Sequence, residues 1–293
     1  AFKRLMARRR GAPTIHALLT RYFDTPDFAL GDLGLALRLR RVGRRWVQTL
    51  KSEGERHGGL SVRAEYETPV PRAALDLSRL PSAARALIPG TLIEQLAPMF
   101  ETRFTRTAWL LRTRSGAKVE VALDVGEIRA GADSRPLCEI ELELKSGRAE
   151  ALLDWALALT KQISLLPLDI SKAERGIQLA RGIEAAPVRA GAIKLDPGMT
   201  VEDGFAAICR ICLAQFQTNL HGVLREDDPE YLHQARVALR RLRAALRLFR
   251  RVCPLASSEL QQGLRDWNAA LGPARDWDVL CLQTLPAIAP HFA

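Results

Sequence analysis

The residues best placed to do chemistry lie in a run of eight, Cys138-Glu139-Ile140-Glu141-Leu142-Glu143-Leu144-Lys145. Their strict alternation predicts a β-strand, because successive side chains in a strand point to opposite faces. Cys138, Ile140, Leu142 and Leu144 then share one face, and Glu139, Glu141, Glu143 and Lys145 the other. Three carboxylates in a row repel one another unless a cation sits among them. Two kinds of cation could serve: a divalent metal, or the Arg and Lys side chains elsewhere in the chain. An isolated strand of this kind would more simply be one face of a sheet turned to water. The other expected strands argue against that, because they carry charge on one face too.

Those strands are read in order from the same alternation. Residues 16–24 form one. Residues 35–41 form a second, with Arg38 and Arg40 on one face, and residues 46–51 a third, with Thr49 and Lys51 together. Residues 63–67 place Arg63, Glu65 and Glu67 side by side. Residues 69–90 read as helix-like and punctuated by Pro. Residues 104–111 set Arg106 opposite Trp109, and residues 118–125 set Glu120 and Asp124 on one face. An amphipathic helix is expected over 149–161, and a short one opens at Ser171-Lys172. About eight strands with short, mostly antiparallel connections result. Charge of both signs on one side of each is most simply met by a closed barrel, charged inside, with helices on its apolar outer face. Eight strands leave an interior that side chains nearly fill or that holds one small ligand. A lumen of Arg, Lys and Glu suits an oligophosphate, its oxygens taken by the basic groups. Mg2+ or Mn2+ would be held by the carboxylates and the phosphates together.

Residues 183–198 are rich in Ala, Gly and Pro and unpatterned, which makes them a linker. Everything after them reads as helix. Thr200 caps a helix to about Leu224, and Asp228-Pro229-Glu230 begins one expected to run to Cys253, where Pro254 stops it. A third should run from Ser257 or Ser258 to Gly272 and a fourth from Arg275, giving an antiparallel bundle. In the second helix His233, Arg236, Arg240, Arg243, Arg247 and Arg250 recur at helical spacing as a basic stripe, with Arg241 off it. Leu239, Leu242, Leu246 and Phe249 form the neighbouring apolar stripe. Such a run is usually a solvated face paired to acids one turn away. No acid lies between Tyr231 and Ser258, so the partners must come from other helices or from an anion.

Composition narrows the partners. The formal net charge of +10 lies wholly before Leu195, since the 11 Arg from there onward meet 11 Asp and Glu. Such an excess points to a polyanion. Aromatics make up only 6%, too few for a stacking platform for single strands, and no zinc-finger or RNA-binding signature is present, so nucleic acid is not the expected partner. No apolar run is long enough to span a bilayer, and no membrane partner is expected. Five unevenly spaced Cys suggest reduced thiols and a cytoplasmic address. Cys209 and Cys212 form a lone CxxC within a helical pattern and read as buried helix residues.

Taken together, the chain resembles the CYTH–CHAD architecture. RYFDTPDFAL, LALRLR, QTLK, AEYE, TRFTRTAWLL, VEVALDVGEI, CEIELELK and SKAERG occur in the order of a CYTH domain, the triphosphate tunnel metalloenzyme fold. HQARVALRRLRAALRLF and LGPARDWDVL resemble a CHAD domain. The resemblance implies an α+β protein: an antiparallel eight-stranded tunnel-like β-barrel with flanking helices over 1–182, a linker over 183–198 and an all-α bundle over 199–293. It implies metal-dependent hydrolysis of inorganic tripolyphosphate, or another triphosphate, to diphosphate and phosphate. Arg38, Arg40, Lys51, Arg63, Arg106 and Lys172 would bind phosphate. Glu120, Asp124, Glu139, Glu141 and Glu143 would hold Mg2+ or Mn2+, with Glu141 and Lys172 catalytic. The helical part would bind long-chain polyphosphate through His233, Arg236, Arg240, Arg243 and Arg247. The family's first strand, Glu-x-Glu-x-Lys, belongs ahead of AFKRL, so either the sequence is a fragment or the chain lacks half of the family's metal ligands; the CHAD part resembles the first half of such a domain. A non-catalytic polyphosphate or anion binder, an adenylyl cyclase and a thiamine triphosphatase are the alternatives within the same fold.

Overall fold

The protein is described from a computed structural model that covers residues 2–6, 12–113, 116–252 and 258–292. It divides into two compact units, one of residues 1–55, 61–165 and 170–184, the other of residues 56–60, 166–169 and 185–293. Among the described residues, no helix is long and apolar enough to cross a membrane.

The first unit begins with a short helix α1 (Phe2–Met6), inside the stretch expected as a basic arm; residues 7–11 of that arm lie outside the described residues. Strand β1 (Thr14–Asp24) ends in the Asp24-Thr25-Pro26-Asp27 turn, followed by one turn of helix, α2 (Ala29–Asp32). The Asp24 carboxylate is buried, yet it accepts bonds from the backbone N–H of Thr25 (2.8 Å), Leu30 (2.8 Å) and Gly31 (2.9 Å). That satisfies the polar group and fixes the corner. Then come β2 (Ala36–Val42), β3 (Arg45–Lys51) and β6 (Glu65–Val70); between β3 and β6 in sequence, a small ribbon of β4 (Glu55–His57) and β5 (Leu60–Val62) is divided between the two units. Residues 69–90 are not the helical stretch expected: they hold the end of β6, a 3-10 turn at Leu77–Arg79 and the single turn α3 (Ser82–Arg85). Its prolines explain this, since each removes a backbone donor and blocks helix continuation.

Three long strands follow: β7 (Ala97–Arg112), β8 (Lys118–Ala130) and β9 (Asp133–Ser146). The main sheet has seven strands among the described residues, all antiparallel, in the order β6-β3-β2-β1-β7-β8-β9. The edge strands β6 and β9 are not paired with each other there. The sheet is nonetheless strongly curled. In a flat sheet β2 and β9 would lie roughly 19 Å apart, four strand spacings, yet Arg40 of β2 and Lys172, which bonds Glu139 of β9, lie 5.9 and 5.2 Å from the centre of one Phe104 ring.

The apolar faces pack outward. Leu37 and Leu50 bury against Leu30, Leu80 and Ile88, while Val119 and Val121 bury against Ala151 and Leu159 of α4 (Glu150–Thr160). Helices on the outer face are therefore borne out, with one exception. Helix α5 (Lys172–Ala180) lies on the inner side, where Ala173 and Leu179 pack with Leu18, Tyr22, Phe100 and Phe104. The sequence SKAE builds a capping box: Ser171 accepts from the Glu174 N–H (3.2 Å) and Glu174 accepts from the Ser171 N–H (2.9 Å).

The second unit is helical: α6 (Val201–Val223), α7 (Pro229–Leu248), α8 (Ser258–Val279), a π-helical turn at Leu280–Thr284 and the short α9 (Leu285–Ile288). Leu232, Leu239 and Leu242 of α7 pack with Cys212 and Phe216 of α6 and Leu264 and Leu271 of α8. Two boundaries differ from expectation. Helix α7 stops at Leu248 rather than at Cys253: Phe249 leaves the helical backbone, its ring centred 5.1 Å from that of Phe205 and tilted by 31° to it. Helix α8 does not end at Gly272 but runs on through Pro273. A glycine before proline has no Cβ to meet the proline ring, so the helical conformation survives there. Ahead of the bundle, the irregular segment is pinned to it. Asn219 accepts from the Val188 N–H (3.0 Å) and donates to its carbonyl (2.9 Å), and Arg241 donates to the Gly191 carbonyl (3.0 Å). This is the place in the fold of the arginine that falls off the basic stripe.

Gly176 is the tightest point under α5. A Cβ there would come within 2.0 Å of the buried Phe100 ring. Gly176→Ala should destabilise by about 1–3 kcal/mol of overpacking, more than the roughly 1 kcal/mol that helix propensity returns. Gly90→Ala, with nothing within 4 Å, should leave the denaturant midpoint in place.

Candidate active site

Directly opposed residues of neighbouring strands share a face, so the register defines the inner surface. Glu67 faces Thr49 and Glu65 faces Lys51; Thr49 faces Arg38. Tyr22 and Thr20 of β1 face Arg38 and Arg40. On the other wing Arg106 faces Asp124, Asp124 faces Glu139 and Glu120 faces Glu143. Every charged residue expected inside the barrel from β2, β3, β7, β8 and β9 falls on this one concave face. Arg63 does not belong to a strand; it is exposed between β5 and β6, close enough to press on the charges of Lys51 and Glu65. Arg63 and Ala64 link the two strands and do not follow the alternation of β6.

Two groups of charge stand on this face. On the β6-β3-β2 wing, Arg38 donates to Glu65 (2.9 Å) and Glu67 (3.4 Å), and Lys51 pairs with Glu65 at 2.7 Å. Arg40 is different. It bonds the Thr20 hydroxyl (3.0 Å) and lies over the Phe104 ring, with no carboxylate partner among the described residues. Burial, then the nearby Arg38, pull its pKa down to about 10. A cation so placed is poised for an anion that the protein does not supply.

On the β7-β8-β9 wing, Asp124, Glu139 and Glu141 bring one oxygen each within 4.8 Å of one another. Three cations hold them. Lys172 lies 2.8 Å from Asp124 and 2.6 Å from Glu141 and also bonds Glu139. Arg106 makes a two-pronged contact with Asp124 (2.8 and 2.7 Å) and bonds Glu141. Arg175 bonds the second oxygen of Glu139. Burial pushes the Glu141 carboxyl up, but Lys172 and Arg106 outweigh it and hold the group well below the usual carboxylate range. Burial likewise lowers Lys172, and Glu141, Glu139 and Asp124 outweigh it, raising its pKa. Asp124 is fully enclosed, whereas Glu141 keeps 45% of its side chain open to the concavity.

The donor set is all carboxylate oxygen, which suits a hard divalent cation with spare positions for water or phosphate. Asp124, Glu139 and Glu141 could hold one. Glu120 and Glu143 stand further along β8 and β9, outside this group, and Glu143 pairs with Lys145 at 2.6 Å. Arg175 was not among the residues singled out from sequence. Its signal was available: it follows Lys172 by three positions, hence on the same side of α5.

In the helical unit, His233 and Arg236 are half-buried, and Arg236 donates to the Asn268 carbonyl (3.1 Å). Arg240, Arg243, Arg247 and Arg250 are exposed, with no carboxylate partner among the described residues. Asp278, one acid that could have neutralised the stripe, lies 4.0 Å from Arg275 instead.

Residues 5–177 match the family model of the CYTH domain, and residues 207–292 that of the CHAD domain. The chain belongs to the CYTH domain family, with a CHAD domain following in the same polypeptide. An inorganic triphosphatase from Haemophilus influenzae is 36% identical over 160 residues, 54% of this chain and 44% of that protein, so the chain spans less than half of this relative's length. Among solved structures, the CHAD domain from the plant Ricinus communis is 46% identical over 35% of each chain, with a TM-score of 0.34. A Hippeastrum protein classed with adenylyl cyclases and described as having a dominant triphosphatase activity is 17% identical. It covers 59% of this chain and 85% of its own, with a TM-score of 0.40.

The wing that bears Arg40 also bears Lys51, whose pKa burial and Arg38 lower to about 8 against the pull of Glu65. A polyanion bound there favours the ammonium form and raises that pKa again. At about pH 8.5, where the free amine is largely neutral, tripolyphosphate binding should therefore take up protons. Calorimetry in buffers of different ionisation enthalpy measures this uptake. Lys51→Met should remove the Lys51 share, which should also vanish at about pH 6.5 in the parent.

Proposed function

We propose that the first unit binds a linear triphosphate along its concave face and hydrolyses inorganic tripolyphosphate to diphosphate and phosphate. The carrying observation is the convergence on one curled face of Arg38, Arg40, Lys51 and Arg106 with the trio Asp124, Glu139 and Glu141. Membership in the CYTH family and the relative named inorganic triphosphatase support the choice of triphosphate. In this reading the domain boundaries are 1–182 for the tunnel domain and 199–293 for the helical one, with 183–198 between.

Arg40 takes phosphate oxygens first, having no carboxylate to give up, and Arg38, Lys51 and Arg63 extend the same track. Arg106 and Lys172 then exchange carboxylate oxygens for phosphate oxygens, which leaves Asp124, Glu139 and Glu141 free to accept other partners. Mg2+ or Mn2+ held by those carboxylates would add neutralisation of phosphate charge. While Lys172 and Arg106 stay on Glu141 its low pKa makes it a poor proton acceptor. Once they have moved to phosphate oxygens, Glu141 orients the attacking water or takes its proton, and Lys172 and the arginines stabilise charge on the departing diphosphate. Glu141→Gln keeps the shape and removes the charge. Phosphate release from tripolyphosphate should fall by about 100-fold or more, measured below the melting temperature of the variant, which loses one carboxylate partner of Lys172 and Arg106. Turnover within a few-fold of the parent would remove Glu141 from the mechanism.

For the second unit we propose binding of long-chain polyphosphate along α7. The exposed Arg240, Arg243 and Arg247 support it, lying on a helix roughly 30 Å long at the standard rise, with the exposed Arg250 just beyond its end. Each phosphate neutralised releases counterions, so affinity should fall steeply with salt, by analogy with nucleic acids. Replacing Arg240, Arg243 and Arg247 by Gln should flatten the log–log salt slope by about 2. Arg241→Gln should leave that slope alone. An unchanged slope in a folded triple variant would sink the assignment.

A further inference from the structure

The outer face of the sheet carries a second concentration of arginine that the tunnel does not use. Arg21 of β1 alternates with the inward Thr20 and Tyr22, so it points outward, and it faces Glu101 of β7, which faces Arg129 of β8. One row along, Arg103 faces Glu127. Such a checkerboard could neutralise itself across the strands, but the contacts run otherwise. Glu101 turns along its own strand to Arg103, at 2.6 Å. Arg129 reaches Glu127 only at 3.7 Å. Arg21 is exposed and has no carboxylate within ion-pair distance among the described residues. Three guanidiniums therefore share two carboxylates, and one of those is already taken.

The backbone opens a recess at this point. The register between β1 and β7 slips between Tyr22, which faces Phe100, and Phe23, which faces Pro98. Met99 is the extra residue, and a bulge of this kind re-aims neighbouring side chains. With the β8–β9 turn at Gly131 it borders a cleft of about 360 Å3, lined by Arg21, Arg103, Arg129 and Glu101 and walled by Pro98 and Met99. The lining bears three positive charges against one negative. The volume is at the small end of small-molecule sites, more than one phosphate needs. Guanidinium forks match phosphoryl oxygens pairwise.

We propose that this cleft is a second anion site, independent of the tunnel, that takes a small phosphorylated ligand with its phosphoryl oxygens on Arg21 and Arg129. The same chemistry could be presented by inorganic diphosphate or by a nucleoside monophosphate, whose base would lie on Pro98 and Met99.

The chain contains three methionines, Met6, Met99 and Met199, so a methyl-labelled protein gives one reporter in the cleft and two elsewhere. The full chain, labelled at the methionine methyls and free of added metal, is titrated in separate arms with inorganic diphosphate and with AMP. Met99→Leu assigns the reporter. The Met99 signal should move saturably in at least one arm while that of Met6, buried beside Trp109, stays put. The arm with the tighter midpoint identifies the source. The shift should persist in Arg40→Gln, which weakens the tunnel, and its midpoint should rise at least tenfold in Arg21→Gln/Arg129→Gln. Where that double variant displaces Met6, Arg21→Gln alone serves, since that side chain has no ion pair to lose. A motionless Met99 in both arms, a midpoint unchanged by the arginine substitutions, or a shift abolished by Arg40→Gln would each overturn the proposal.

Discussion

The neutralisation of Asp124, Glu139 and Glu141 by Lys172, Arg106 and Arg175 is the interaction on which the rest of the structure depends. Enclosed like charges cannot stay ionised without partners, and removing one partner from such a group is far more costly than the whole group is stabilising. The three cations come from two elements far apart in sequence, β7 and α5. Helix α5 must therefore be held at a fixed depth. Its capping box fixes where it starts, and Gly176 lets its backbone approach Phe100. Since a buried ion cluster is at best a weak source of stability, the fold must find its stability elsewhere. It does so on the outer face, where Val119 and Val121 meet α4 and Leu37 and Leu50 meet the corner after β1. The inner face is therefore charged except where α5 covers an apolar patch, and the outer face is apolar where helices and the corner cover it.

Much of this was legible because a strand's period of two is strict. Once residues 138–145 are a strand, Glu139 and Glu141 share a face, and the same rule fixes Arg38 with Arg40 and Glu120 with Asp124. The order of pairing then makes these faces one surface. What alternation cannot give is the degree of curl, which brings Arg40 and Lys172 over the same Phe104 ring, or the separation of Glu120 and Glu143 from the carboxylate trio. Those depend on twist accumulated over seven strands. Misreadings arose where local signals compete. The prolines of residues 69–90 left little helix, yet Pro273 interrupted none, because Gly272 precedes it. Arg63 sits a residue short of its strand. Arg175 was overlooked because its partner, Glu139, is 36 residues away in sequence.

The two units present cations to anions under opposite physical conditions. On the concave face nearly every cation already has a carboxylate, so an entering phosphate must displace one partner with another. In the proposed reading the exchange is favourable only if phosphate oxygens replace carboxylate oxygens at matching positions, a demand on the length and geometry of the anion. Along α7 the exposed arginines have no carboxylate to exchange among the described residues. An anion there gains affinity from charge density and counterion release alone, which rewards chain length and tolerates irregular geometry. Arg40 stands between these cases, enclosed like the first set but uncompensated like the second. Its burial and the neighbouring Arg38 disfavour its charge in the free protein, and Glu141 offsets this only in part. That makes Arg40 the point from which the exchange across the concave face can begin, with Arg106 and Lys172 following once phosphate oxygens compete for them.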